Sequence, residues 1–140
     1  MMNKVAFADT NLFIRFFTND VPTQADAVAE LFKQAERGEI TLLVNHLGLA
    51  EIIWVLESSY SLSHEDIRRF ILGLLNTPGL KVEAPDLITQ AIDLYVGKNI
   101  DFIDAYSASW MKENSINKVY TFDRHHFSRI EGLEVEVPTR

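Results

Sequence analysis

The stretch Lys4-Val5-Ala6-Phe7-Ala8-Asp9, followed by Thr10-Asn11-Leu12-Phe13-Ile14-Arg15-Phe16-Phe17-Thr18, changes its hydrophobic period at a single residue. Up to Ala8 the chain reads as a short buried strand, apolar on both faces. From Thr10 onward Leu12, Phe13, Phe16 and Phe17 recur at helical spacing and mark an apolar helix face. Asp9 stands at the junction, where an aspartate caps a helix after a βα turn. A strand that runs into a helix through an acidic residue is the opening unit of a parallel α/β sheet.

The same alternation continues along the chain. Pro22 opens a helix at its first turn that runs to about Arg37 and stops at Gly38. Ile40–Val44 (ITLLV) reads as a second strand, and His46 to about Tyr60 as a helix with an apolar body. Ser63-His64-Glu65-Asp66 is a capped start for a helix ending near Asn76-Thr77-Pro78-Gly79. Leu80–Glu83 is a weak third strand, Pro85 to about Gly97 a helix, and Asp101 or Phe102 to Asn114 another. Lys118–Phe122 and Leu133–Val137 complete the set as a fourth and a possible fifth strand. The pattern predicts a single domain over residues 1–140: a three-layer α/β/α sandwich around a mainly parallel sheet of four to five strands. In such sheets, ligands lie beyond the C-terminal strand ends.

Bulk properties bound the function. At 140 residues the chain suits one domain with a substantial core, and it shows no repeat, linker or low-complexity run. The net charge of −7 counts against a protein that coats nucleic acid through a basic surface. It leaves room for an acidic cluster that binds metal ions and, through them, phosphates. No cysteine is present, so disulfides and thiolate zinc sites are excluded and a reducing compartment is expected. Asp9, Asn11 and Arg15 interrupt the apolar N-terminus, so no signal peptide or membrane span is expected and the cytoplasm is the default location.

Four carboxylates carry the chemistry. Asp9 ends the first strand, Glu51 follows the second, Asp104 lies at a helix start before the last clear strand, and Asp123 ends that strand. Glu51 lies in Leu47-Gly48-Leu49-Ala50-Glu51-Ile52-Ile53-Trp54-Val55-Leu56, where Leu47, Gly48, Trp54 and Val55 stack on it at helical spacing. Its face therefore reads as mostly core-directed, where an ionised carboxylate needs a cation, donors or a route to water. Asp9 and Asp123 each also read as helix caps. A parallel sheet brings all four to one edge, and clustered like charges need compensation. Hard divalent ions supply it, with Mg²⁺ or Mn²⁺ suited to carboxylates plus water. Such ions activate water for attack on a phosphodiester. Asp101, three residues before Asp104, reads as the cap that fixes the start of its helix and so the aim of Asp104.

Other chemistries lack their residues. There is no Gly-rich phosphate loop, no G-x-S-x-G elbow and no H-E-x-x-H spacing. His125-His126, next to Asp123, reads either as a substrate contact or as a solvated turn.

With these residues assembled, the chain resembles the PIN-domain family, and within it the VapC-type toxins of toxin–antitoxin pairs. The resemblance runs from Asp9-Thr10-Asn11 through Leu49-Ala50-Glu51 and Asp104-Ala105 to Thr121-Phe122-Asp123. It implies a Mg²⁺- or Mn²⁺-dependent endoribonuclease, usually homodimeric and neutralised by a small antitoxin protein. Asp9, Glu51, Asp104 and Asp123 match the family's acids, and Asn11 and Thr121 match polar positions that support the metal site. One departure stands out: the family often has a basic residue, one histidine and a phenylalanine after the last aspartate. Here the run is Asp123-Arg124-His125-His126-Phe127, one residue longer. Arg15, Arg124 and Arg129 are the nearest candidate phosphate contacts, with Arg68 and Arg69 less direct ones. Two other readings compete: a catalytically silent PIN-like binding module, and an aspartate phospho-receiver, which would need a paired acid near the first strand where this chain offers only Asp9.

Overall fold

The computed structural model describes residues 4–140, which form two compact units that divide between Glu83 and Ala84. In the first unit, β1 (Lys4–Phe7), β2 (Ile40–Val44) and β3 (Leu80–Val82) form a parallel sheet in that order. The register sets Phe7 against Leu43 and Val44 against Val82. Helices α1 (Thr10–Thr18), α2 (Pro22–Glu36), α3 (His46–Ser58) and α4 (His64–Leu75) connect the strands. Each start follows a local rule. Asn45 caps α3 by accepting from the Gly48 amide, Ser63 caps α4 by accepting from the Asp66 amide, and Pro22 occupies the first turn of α2. Phe13, Leu42, Leu49, Ile52, Ile53, Leu56, Ile67 and Ile71 are fully buried and form the core of this unit.

The second unit contains α5 (Pro85–Gly97), α6 (Phe102–Glu113), β4 (Lys118–Tyr120), a short 3-10 turn (Phe127–Arg129) and β5 (Glu134–Glu136). Ile88, Ile92, Tyr95 and Ala105 are fully buried between α5 and α6, and the Tyr95 and Phe102 rings meet edge to face at 6.0 Å. β4 and β5 pair in parallel, Val119 opposite Val135.

All pairings are parallel and each of the five expected strands is present, with the helices where the hydrophobic period placed them. The strands form a three-stranded and a two-stranded ladder instead of one continuous sheet. The fourth strand stops at Tyr120, two residues short of Phe122, so Asp123 follows a short turn rather than ending the strand itself.

The two-stranded ladder carries a cross-strand ion pair. The Lys118 ammonium lies 2.7 Å from Glu136 and 5.0 Å from the centre of the Tyr120 ring. The lysine's hydrogen bond, reinforced by Tyr120, lowers the Glu136 carboxyl below its ordinary 4.5; the same pair raises Lys118. A depressed acid stabilises the fold above its unfolded value and loses that contribution as the pH falls through the folded value. Glu136→Gln is therefore expected to lower the melting temperature slightly at neutral pH. The gap from the native chain should close as the pH is taken below 4.5, and a gap that survives acid would contradict the pairing. Both groups are exposed, so added salt should narrow the gap as well.

Candidate metal centre

The first unit positions two of the four acids. Asp9 follows β1 and caps α1, its Oδ1 accepting from the Thr10 amide at 2.9 Å while the side chain stays exposed. Ala8 donates to the Leu43 carbonyl, so the ladder continues to the residue before the acid. β1 and β2 are parallel, and α1 and α3 therefore both begin at the C-terminal edge of this sheet. Thr10 is buried and its Oγ1 donates to the Gly48 carbonyl at 3.4 Å, which sets the start of α1 against the first turn of α3. A Cβ on residue 48 would sit 3.0 Å from Asn45 Oδ1 and 3.8 Å from Thr10 Oγ1, so glycine permits this approach. Glu51 lies one turn further along α3.

The expectation that Glu51 faces the core is corrected here. Glu51 is exposed, between Leu47 and Trp54, which are 82% and 66% exposed. Leu49, Ile52, Ile53 and Leu56 take the buried side. A helix apolar all round does not declare its inner face, and packing chose the stripe that leaves the carboxylate in water. No buried counter-cation is required.

The second unit positions the other two. Asp101 caps α6, its carboxylate accepting from the Ile103 amide at 3.2 Å, as the sequence implied. Asp104 stands in the first turn of α6, half-buried, with Oδ2 2.8 Å from His126 Nδ1. A carboxylate is an acceptor, so that contact requires hydrogen on Nδ1. The Asp101 amide, 3.4 Å from the same nitrogen, then has no lone pair to meet. Asp123 is held in a turn: its amide donates to Thr121 Oγ1 and that hydroxyl donates to the Asp123 carbonyl, each at 3.0 Å. Its Oδ1 accepts from the His125 amide at 3.1 Å. Thr121 thus acts on Asp123 through its backbone.

The arginines differ from one another. Arg15 donates through Nε to Gln24 at 2.9 Å, and Arg124 is exposed beside Asp123. Arg129 donates to the Asn99 and Lys98 carbonyls at 2.7 and 3.2 Å and meets His125 Nε2 at 2.9 Å. Its guanidinium is committed to closing the C-terminus of α5, unlike a surface charge waiting for phosphate.

The family model for the PIN domain matches residues 6–133. This chain belongs to the PIN-domain family. A VapC ribonuclease of Aquifex aeolicus is 25% identical to this PIN chain over 116 residues, covering 83% of it and 85% of the relative. Two solved structures share 16% identity with it, each at a TM-score of 0.38. One is VapBC2 from Rickettsia felis bound to a DNA fragment from their promoter, covering 96% of this chain and 99% of its own. The other is VapC20 of Mycobacterium tuberculosis, a sarcin-ricin loop cleaving toxin, covering 89% and 94%.

The donor chemistry of this PIN chain fits a hard divalent ion. Among the described residues, Asp9, Asp104 and Asp123 each engage one carboxylate oxygen in the hydrogen bonds above and keep the other, and Glu51 is exposed. Oxygen-only, anionic donors suit Mg²⁺ and Mn²⁺. Among the described residues, no three His, Asp or Glu side chains gather around one point. The residue that sequence reasoning left open is His126, which the fold sets on Asp104. Its only signal was the paired histidine in the run Asp123-Arg124-His125-His126-Phe127.

Proposed function

We propose that this chain is an endoribonuclease that hydrolyses RNA phosphodiester bonds with Mg²⁺ or Mn²⁺ held by Asp9, Glu51, Asp104 and Asp123. The carrying observation is the PIN-family match across residues 6–133, a span that contains all four acids. That span runs through both compact units and supports one PIN-like domain over the whole chain. When bound, the ion lowers the pKa of a water and offsets charge on the phosphate. The residues divide the remaining work. Asp9 and Asp104 present carboxylates from helix starts, Asp101 fixes the first turn beneath Asp104, and Thr121 shapes the turn that carries Asp123. Asn11, exposed in the first turn of α1 two residues after Asp9, supports the ion's waters. Arg124 and Arg15 meet substrate phosphates in this reading.

The VapC ribonuclease relative, matched over 83% of this chain, supports a role as the toxin of a toxin–antitoxin pair. The partners are then RNA, a small antitoxin protein and a second copy of this chain. No helix among the described residues is long and apolar enough to cross a membrane. A catalytically silent PIN module is the competing reading, and metal dependence separates the two. The purified chain should cut RNA with Mg²⁺ or Mn²⁺, lose at least roughly 100-fold in rate with excess chelator, and regain it when either ion is restored. Cleavage that persists in chelator would overturn the metal assignment. Absence of both cleavage and calorimetric Mn²⁺ binding would favour the silent module.

A further inference from the structure

We propose that His126 is a positioning residue for Asp104, and that the two histidines of the Asp123–Phe127 run divide two tasks between adjacent rings. The inference rests on the reading of Asp104 as a metal ligand. His126 Nδ1 lies 2.8 Å from Asp104 Oδ2, across 22 residues of sequence and with both side chains about three-quarters buried (26% and 28% exposed). The Nδ1–H bond occupies Oδ2 and leaves Oδ1 for the ion. It also fixes the carboxylate's rotation, which the first turn of α6 alone does not.

His126 is itself braced. The adjacent His125 ring lies 5.1 Å away, centre to centre, and its Nε2 is 2.9 Å from Arg129 Nη2. A guanidinium only donates, so His125 accepts through Nε2. Arg129 is tied to the backbone carbonyls of Lys98 and Asn99, just before the loop that leads to the Asp101 cap. The His125 amide meanwhile donates to Asp123 Oδ1. One histidine therefore joins Asp123 to the C-terminus of α5, and the next reaches Asp104. With a single histidine in the run, one ring would have to serve both. Outer hydrogen bonds to a ligating carboxylate set its orientation, and losing one weakens metal binding by roughly 10- to 100-fold.

The test is Mn²⁺ titration of the full chain by calorimetry, without RNA, alongside kcat and KM for cleavage. His126→Ala should raise the Mn²⁺ Kd roughly 10- to 100-fold and lower kcat with KM little changed. His126→Asn, whose amide nitrogen stands where Nδ1 stood, should recover most of that loss. His126→Phe keeps a ring without the donor, so it should behave as His126→Ala does and serves if the alanine variant fails to fold. Asp9→Asn is the reference for the four-acid reading. Native Mn²⁺ affinity in His126→Ala and His126→Phe, with affinity lost in Asp9→Asn, overturns this inference alone. Native affinity in all three overturns the four-acid reading and the inference with it. A rise in KM at unchanged Mn²⁺ affinity would assign His126 to substrate and also overturn it.

Discussion

Asp9→Asn and Asp104→Asn are each expected to lower RNA cleavage by roughly 100-fold or more, the scale of losing one preorganised electrostatic group at a reacting phosphate, with the fold retained. The structure explains why folding is spared. Asp9 is exposed, and among the described residues its side chain makes one hydrogen bond, the cap from the Thr10 amide at 2.9 Å; asparagine caps a helix about as well as aspartate. In Asp104→Asn the amide oxygen can still accept from His126 Nδ1. Each substitution removes a charge and little else. Initial rates with Mg²⁺ or Mn²⁺, together with circular dichroism and thermal melts, check both halves. Full activity in both variants would sink the assignment. Asp101→Ser supplies the contrast: serine preserves the cap on α6 that Asp101 makes to the Ile103 amide. It should cost far less activity than Asp104→Asn. If the two lose activity equally, Asp101 itself meets the ion and the division of labour between the two acids is wrong.

Helix ends were legible in the sequence because strong punctuation marks them. Pro22, Pro85, Ser63 and Asp101 each sit where the structure starts a helix, and each acts through a local backbone rule. Strand pairing was less legible. β3, β4 and β5 are three residues each, too short for their own hydrophobic pattern to say which ladder they join. The acids at Asp9 and Asp104 could be placed because helix starts are local. The orientation of Glu51 could not, since α3 is apolar on every side and only packing against the rest of its unit selects the buried stripe. The partners of His126 and Arg129 were out of reach for a different reason. They join side chains and carbonyls 22 to 31 residues apart, and no period or cap encodes such a contact. What the sequence did carry was the His125-His126 pair after Asp123, without saying which ring reaches Asp104.

Gly79→Ala is expected to destabilise the chain by about 2–4 kcal/mol, combining an unfavourable backbone with overpacking. Gly79 has φ +85°, and a Cβ built on it would lie 2.4 Å from the Ala35 carbonyl oxygen and 2.6 Å from Ala35 Cβ. Neither contact can be relieved by turning a side chain. Ala35 is buried in the last turn of α2, and its carbonyl already accepts from the Gly38 amide as the helix ends. Gly79 is also held from the other side, because its carbonyl accepts from the Leu42 amide at 2.8 Å where β3 joins the sheet. Relief must therefore separate α2 from the β2–β3 edge. Urea denaturation at neutral pH measures the loss as a lower midpoint at unchanged slope. The consequence for function differs in kind from the acid-to-amide substitutions. β2 leads into α3 and Glu51, so Gly79→Ala should lose cleavage in parallel with the folded fraction, and cooling or mild stabilising salt should recover part of it. Asp9→Asn should not recover under those conditions. A Gly79→Ala chain that unfolds at the native urea midpoint would show that the approach of α2 to β3 is looser than the structure describes.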